Sequence, residues 1–312
     1  MTTAPSHDQK PATGSARNPA AVVDGPPSAG GGIGKRIEGL VRTLGAGFLF
    51  AVFGIGKRIE GLVRTLGVGF LFAVFGIGGW LLATAVLPLT IRRHERGAAR
   101  ELFAQRLLHR SFGLFIRLGS VLRLFSLNAH GAEGLRGGAT LVVANHPTLL
   151  DVVFLISCMP QADCVVKREA WRNPFFRGIV TAAGYIPNDE GEAIVSECVA
   201  RLRGGRSVIL FPEGSRSPRG GLGPFKRGAA YVAQASGAPI TPVVIGCDPP
   251  ALMKGQAWFA LPNRELTFSL TVGEPLRAGD LSPEQHPRAI AARRITAKLR
   301  SHFEARLGHE DE

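Results

Sequence analysis

Apolar and polar positions change period repeatedly along the second half of the chain. Short apolar runs rich in β-branched residues, at 140–144, 163–166, 207–211, 240–245 and 266–272, have strand length, and Tyr185-Ile186-Pro187 reads as a strand end. Between them, at 147–157, 174–183, 190–202, 228–235 and 288–307, apolar residues recur every three to four positions, which predicts helices. Strands that alternate with helices imply a single α/β domain over 97–312, a mixed and largely parallel sheet flanked by helices.

The first third of the chain has a different pattern. From Leu66 to Ile91 there are 26 residues without a charge, against the roughly 20 that cross a bilayer. Arg64 precedes this stretch and Arg92, Arg93 and Arg96 follow it, while five glycines and Pro88 allow a kinked or re-entrant helix. A buried core helix is the competing reading. Residues 32–53 and 54–75 are a tandem duplication of 22 residues that differs only at Ala46 and Val68, a recent copy rather than a solenoid. The first copy's apolar run, 44–56, is too short to span and suits an interfacial helix. Residues 100–125 mix arginines with Phe103, Leu107, Leu108, Phe112, Phe115 and Leu122, an amphipathic helix for lipid or for the sheet. Residues 1–31 hold too few large apolar side chains to offset ordering, which predicts a disordered tail. The layout is thus a tail (1–31), a membrane-associated segment (32–96) and a folded domain (97–312).

Charge narrows the partners. A formal net charge of +13 attracts polyanions. No zinc spacing or recognition-helix pattern supports nucleic acid, whereas the apolar segment supports an anionic membrane surface. Cys158, Cys164, Cys198 and Cys247 lack metal-ligand spacing and read as buried thiols in a reducing compartment, with no metal site or cofactor expected.

Candidate chemistry begins where the strand 140–144 ends. His146 follows it in Asn145-His146-Pro147-Thr148-Leu149-Leu150-Asp151, and Pro147 suits the first position of a helix. Carboxyl ends of strands in open α/β sheets are where ligands bind. Asp151 can fold back to one imidazole nitrogen and leave the other free to take a proton. The alternative is a helix-capping His with a carboxylate that merely favours the positive helix end. A second strand, 207–211, runs into Phe211-Pro212-Glu213-Gly214-Ser215-Arg216-Ser217, a turn that carries a carboxylate and a guanidinium. Glu213 and Arg216 read either as ligands for a substrate or as a turn ion pair.

Together, in this order and spacing, the two stretches resemble the blocks of the glycerolipid acyltransferase family, which includes the 1-acylglycerol-3-phosphate acyltransferases. The resemblance covers about 100–272. It implies a membrane-bound enzyme that moves a fatty acyl group from acyl-CoA or acyl-carrier protein to the hydroxyl of a lyso-phospholipid. His146 would be the general base and Asp151 its orienting carboxylate. A thioester is already activated, and the lack of a Gly-x-Ser-x-Gly elbow agrees with direct transfer and no acyl-enzyme. Glu213, Gly214, Ser215 and Arg216 would bind the acceptor, and Lys226, in Phe225-Lys226-Arg227-Gly228, would serve the phosphate or the thioester carrier, or else belong to a solvated helix end. The family places an Arg in a middle block where this chain has Gly184-Tyr185-Ile186-Pro187-Asn188-Asp189-Glu190, with Lys167 and Arg168 upstream as substitutes. That departure opens the acceptor to another lyso-lipid or hydroxylated lipid. Membrane lipids are the expected partners, at a bacterial inner membrane with the domain on the cytoplasmic side. The other classes are an inactive lipid-binding protein and a hydrolase that releases fatty acid to water.

Overall fold

The computed structural model of the chain describes residues 61–91, 97–189, 191–282 and 286–308. All lie in one compact unit, Lys57–Glu312. The expected tail (1–31) and the first repeat copy (32–53) lie outside the described residues.

A long apolar helix, α1 (Gly61–Thr90), comes first. It contains a π-helical turn, Leu82–Val86, just before Pro88, which has no N–H to return to residue 84. Helix α2 (Ala98–Val121) leads into β1 (Phe125–His130), β2 (Leu141–Ala144) and α3 (Asp151–Cys158). Then follow β3 (Asp163–Val166), α4 (Arg177–Ala182), β4 (Ile186–Pro187), α5 (Glu192–Arg203) and β5 (Val208–Leu210). The chain ends with α6 (Gly228–Ser236), β6 (Ile240–Asp248), β7 (Leu266–Val272), α7 (Ala278–Leu281) and α8 (Arg288–Gly308).

The strands form one sheet in the order β1-β7-β6-β2-β5-β3-β4. Every neighbouring pair is parallel except β6 and β7, which run antiparallel with Val243 opposite Val272. Central β2 is buried on both sides, so its run of Leu and Val needs no polar alternation. Its side chains still alternate between faces. Val142 and Ala144 join the core under α1, α2, α3 and α4, while Leu141 and Val143 join the core under α5, α6 and α8.

β1 escaped the sequence pattern, which ran a helix to Phe125. That helix ends at Val121 because Arg123 takes a left-handed conformation (φ 51°). The Phe125 ring then folds back over Gly119, where a Cβ would come within 2.4 Å of it. β1 is an edge strand whose outer half is exposed, so it carries too few apolar residues to announce itself. α2 lies on the sheet. Gln105 donates to the Asp163 carboxylate at 3.0 Å and to the Ala183 carbonyl at 2.9 Å. Arg206 reaches Asp163 at 2.6 Å and Glu101 of α2 at 2.5 Å. Burial pushes the Asp163 carboxyl up, against the pull of Arg206, Arg201 and Gln105.

α1 is held to this domain along most of its length. At its start the Arg64 guanidinium donates to the carbonyls of Pro262 (3.0 Å), Arg123 (3.2 Å) and Leu124 (2.8 Å). Midway, Phe75 packs on Phe115 and Phe72 on Trp258, each with ring centroids 4.9 Å apart. Near its end Ala83 lies against Gly178, where a Cβ would come within 2.8 Å. From Arg64 to Leu87 this is about 35 Å of helix at 1.5 Å per residue. The other side of α1, including Leu62, Leu66, Phe70, Ile77, Trp80 and Leu89, is exposed.

Candidate active site

The first motif departs from the sequence expectation in one respect. Pro147 does not open the helix, which begins at Asp151. Residues 147–150 instead form a turn closed by Asp151. Its Oδ2 accepts the Thr148 N–H at 2.7 Å and its Oδ1 accepts the Thr148 hydroxyl, while the Leu150 N–H donates to that hydroxyl at 3.2 Å. Thr148 and Asp151 have the spacing of a capping box, but the helix N-cap is Leu150 and the bonds lock the turn ahead of the helix instead. The turn brings His146, outside the helix, within reach of Asp151.

His146 Nδ1 lies 2.7 Å from Asp151 Oδ2. An ionised carboxylate only accepts, so Nδ1 carries the proton and Nε2 is left with a free lone pair. Asp151 and Thr148 are fully buried, whereas the imidazole is 18% exposed. Its ring stacks on Phe211, with centroids 4.4 Å apart and planes inclined by 29°. Asn145, just before it, clips β2 to β6 through both amide atoms, 2.8 Å to the Ile245 carbonyl and 2.7 Å from the Ile245 N–H.

The second motif supports the first. Glu213 Oε1 accepts from the His146 backbone N–H at 3.1 Å and from the Ser217 hydroxyl at 2.6 Å. Its Oε2 accepts from the Gly223 N–H at 2.7 Å, and the Ser217 N–H returns to the His146 carbonyl at 2.7 Å. Glu213 is buried, and Arg216 bonds elsewhere. Through these bonds Glu213 helps to position the His146 backbone, and it does not form the turn ion pair with Arg216. Arg216 donates to the carbonyls of Leu252 and Met253, each at 3.2 Å. Gly214 adopts φ 68°, and a Cβ there would come within 3.2 Å of Lys226 Nζ, so only glycine lets the ammonium lie over the turn. Ser215 accepts from Lys254 Nζ at 3.3 Å.

His146, Phe211, Gly214, Ser215, Arg216 and Lys226 line one cavity of about 920 Å³ at the carboxyl ends of β3 and β5. Asp151 and Glu213 stand behind its wall. Lys167 also lines the cavity, and among the described residues no acid pairs with it. Arg168, its neighbour, instead holds Asp189 in a two-pronged ion pair, with Nε 2.6 Å from Oδ1. That pair keeps the Asp189 carboxyl below its usual range and the guanidinium above its own. Asn188 and Asp189 from the middle block reach the cavity wall, whereas Tyr185 and Ile186 are buried. Of the upstream cations, Lys167 therefore faces the cavity and Arg168 neutralises Asp189. Among the described residues no cluster of His, Cys, Asp and Glu could hold a metal ion.

Sequence reading gave no role to Thr148, Ser217 or Gly223. Thr148 and Asp151 have capping-box spacing, which could have flagged Thr148. Gly223 acts through its backbone N–H, ten residues from Glu213, and no residue pattern marks such a bond.

Residues 126–246 match the family model described as Acyltransferase. The chain is 33% identical to the 1-acyl-sn-glycerol-3-phosphate acyltransferase of Helicobacter pylori, over 35% of this chain and 48% of that one. It is also 33% identical to the Escherichia coli enzyme of the same name, over 35% and 47%, and 29% identical to a chloroplastic one from Brassica napus, over 40% and 39%. The chain thus spans less than half the length of these curated relatives. The crystal structure of the 1-acyl-sn-glycerophosphate (LPA) acyltransferase PlsC from Thermotoga maritima shares the fold, with a TM-score of 0.56 and 21% identity, over 78% of this chain and 96% of that one.

Proposed function

We propose that the chain, whose residues 126–246 match the Acyltransferase family model and which is similar to 1-acyl-sn-glycerol-3-phosphate acyltransferases, is a membrane-bound O-acyltransferase of the glycerolipid acyltransferase family. It would move a fatty acyl group from acyl-CoA or acyl-carrier protein to the hydroxyl of a lyso-phospholipid such as 1-acylglycerol-3-phosphate. The observation that carries this reading is the His146–Asp151 pair, 2.7 Å apart, at the wall of a cavity that also holds Lys167, Arg216 and Lys226.

His146 Nε2 takes the proton of the acceptor hydroxyl as its oxygen attacks the thioester carbonyl. Asp151 keeps the ring in the required tautomer and balances the imidazolium that forms. The tetrahedral intermediate collapses with loss of the thiolate, which receives the proton from Nε2. An ester has replaced a thioester, His146 is neutral again, and no acyl-enzyme forms. Lys167 and Lys226 suit an acceptor phosphate, which needs fixed cations. Asn188 and Asp189 at the same wall favour a second reading of the acceptor, a lyso-lipid whose headgroup is not a bare phosphate.

We also infer how the enzyme meets its lipid. A helix packed on a folded domain over about 35 Å cannot cross a bilayer without drawing that domain into hydrocarbon. α1 instead suits one leaflet, with its exposed Leu, Phe, Ile and Trp side chains in lipid and the cavity near the headgroups. The duplicated segment and the cytoplasmic side of a bacterial inner membrane complete this picture.

The test is acyl transfer by membranes that carry the wild type or His146→Ala at matched abundance. Labelled acyl-CoA and acyl-carrier protein are offered with a panel of lyso-lipids, and products are read by mass spectrometry. New diacylated lipid from the wild type and a loss of about 10²–10⁴-fold in the variant are expected. Free fatty acid alone would point to the hydrolase, and no product from any pair to a lipid-binding protein.

A further inference from the structure

The amino end of the last helix, α8, borders the cavity. α8 carries six basic residues and one acid, Glu304. The acid is engaged by Arg300 at 2.7 Å, and Arg300 also donates to the Gly223 carbonyl at 2.9 Å. Arg293, Arg294 and Lys298 stand exposed on the outer side of the helix, and among the described residues no acid pairs with any of them. Ile290 is exposed beside them (47%). At the amino end of α8, Arg288 and Ala289 line the cavity next to Arg227 and Lys226. Arg288 lies over the Tyr231 ring at 5.2 Å. The basic surface is therefore continuous with the mouth of the active site.

Its position decides what it meets. α8 packs on the sheet face shared with α5 and α6, whereas α1 packs on the opposite face. When the exposed side of α1 rests in lipid, α8 is turned to water. A basic helix so placed cannot serve the bilayer, and its charge suits a soluble polyanion. Resting on the acyl-transfer reading above, we propose that the outer side of α8, with Arg227 at the cavity mouth, docks the acidic carrier protein that delivers the acyl thioester. The arginines would meet its carboxylates and Ile290 an apolar contact, and the thioester arm would enter past Arg288. Acyl-CoA, without a protein surface, would gain nothing from Arg293, Arg294 or Lys298.

The experiment uses the full chain and a variant with Arg293→Glu and Arg294→Glu, neither of which lines the cavity. Transfer is measured from palmitoyl-carrier protein and from palmitoyl-CoA, and binding of the carrier protein is measured separately by fluorescence anisotropy. For the carrier donor, KM and Kd should rise by about tenfold or more, as expected when rim charges are reversed. With palmitoyl-CoA the variant should stay within about twofold of wild type, which also shows that it is folded. Equal affinity of both proteins for the carrier protein would overturn the proposal. So would weakened binding of the variant to anionic vesicles with its donor preference unchanged. Charge-dependent binding of the carrier protein without transfer from either donor would sink the acyl-transfer reading and leave the docking contact standing.

Discussion

The carboxylate of Glu213 accepts the backbone N–H of His146 at 3.1 Å across 67 residues of sequence. The second motif is thereby part of the scaffold of the first. Two backbone bonds and one ring stack hold His146 from behind, through Glu213, Ser217 and Phe211. Such a buried carboxylate with every bond made fixes geometry, and its cost appears when one bond is lost.

Glu213→Gln tests this. Three donors converge on the Glu213 carboxylate, and an amide offers one acceptor oxygen and two donors. One N–H, that of His146 or Gly223, is left facing another N–H, at about 1–3 kcal/mol. Thermal unfolding should shift down accordingly. kcat should fall by roughly tenfold or more as the imidazole loses its position, while acceptor KM stays within about twofold because Glu213 does not line the cavity. A rise confined to KM would return Glu213 to the role of an acceptor ligand.

Much of this architecture was legible from residue pattern. β3 and β7 have the limits that apolar runs predicted, and the helices near 192, 228 and 288 begin within two residues of them. In β7 the signal is alternation, with Leu266, Phe268 and Leu270 buried and Thr267 and Ser269 between them less so, the period of a half-buried strand. β1 was illegible because an edge strand needs few apolar residues, and the antiparallel entry of β7 because direction leaves no trace in period. At the site, His146 and Asp151 were readable from type and spacing. The work of Glu213 was not, since its partners are backbone N–H groups, which every residue type provides.

The Arg168–Asp189 pair gives a second prediction. Asp189 borders the cavity, and Arg168 holds its charge in check. Arg168→Ala frees a carboxylate close to where an acceptor phosphate would bind, so KM for 1-acylglycerol-3-phosphate should rise, by about three- to tenfold at effective surface dielectric. Adding Asp189→Asn should restore most of the affinity, and the non-additivity of the double-mutant cycle measures the coupling. Additive losses would mean that Arg168 acts on substrate directly.

His302 sets a pH dependence of stability. Partial burial, with Arg306 nearby, holds its imidazole below the ordinary value near 6.5. The unfolded chain therefore binds this proton more readily than the folded one, and this stability is fully present above about 6.5 and lost as pH falls below it, through the lower value of the folded state. Urea midpoints should drop in the wild type as pH is lowered below about 6.5, and the drop should be smaller in His302→Gln. The two proteins losing stability in parallel would assign the acid limb to other groups.

The repeat offers the most controlled comparison. In the second copy Arg64, Val68, Leu71, Phe72 and Phe75 supply the contacts of α1 with the domain. Deleting 32–53 leaves every one of them, so membrane attachment and acyl transfer should survive. Deleting 54–75 instead moves the first copy into the same register. The two products differ at one position, Ala46 in place of Val68, and Val68 is buried. The second product should be less stable by about 1–2 kcal/mol, two methylene equivalents at roughly 0.8 kcal/mol each. Chemical denaturation of the pair reads this directly. Equal stability would show that α1 does not rest on the domain at residue 68, and loss of attachment in both would show that the first copy is itself a membrane contact.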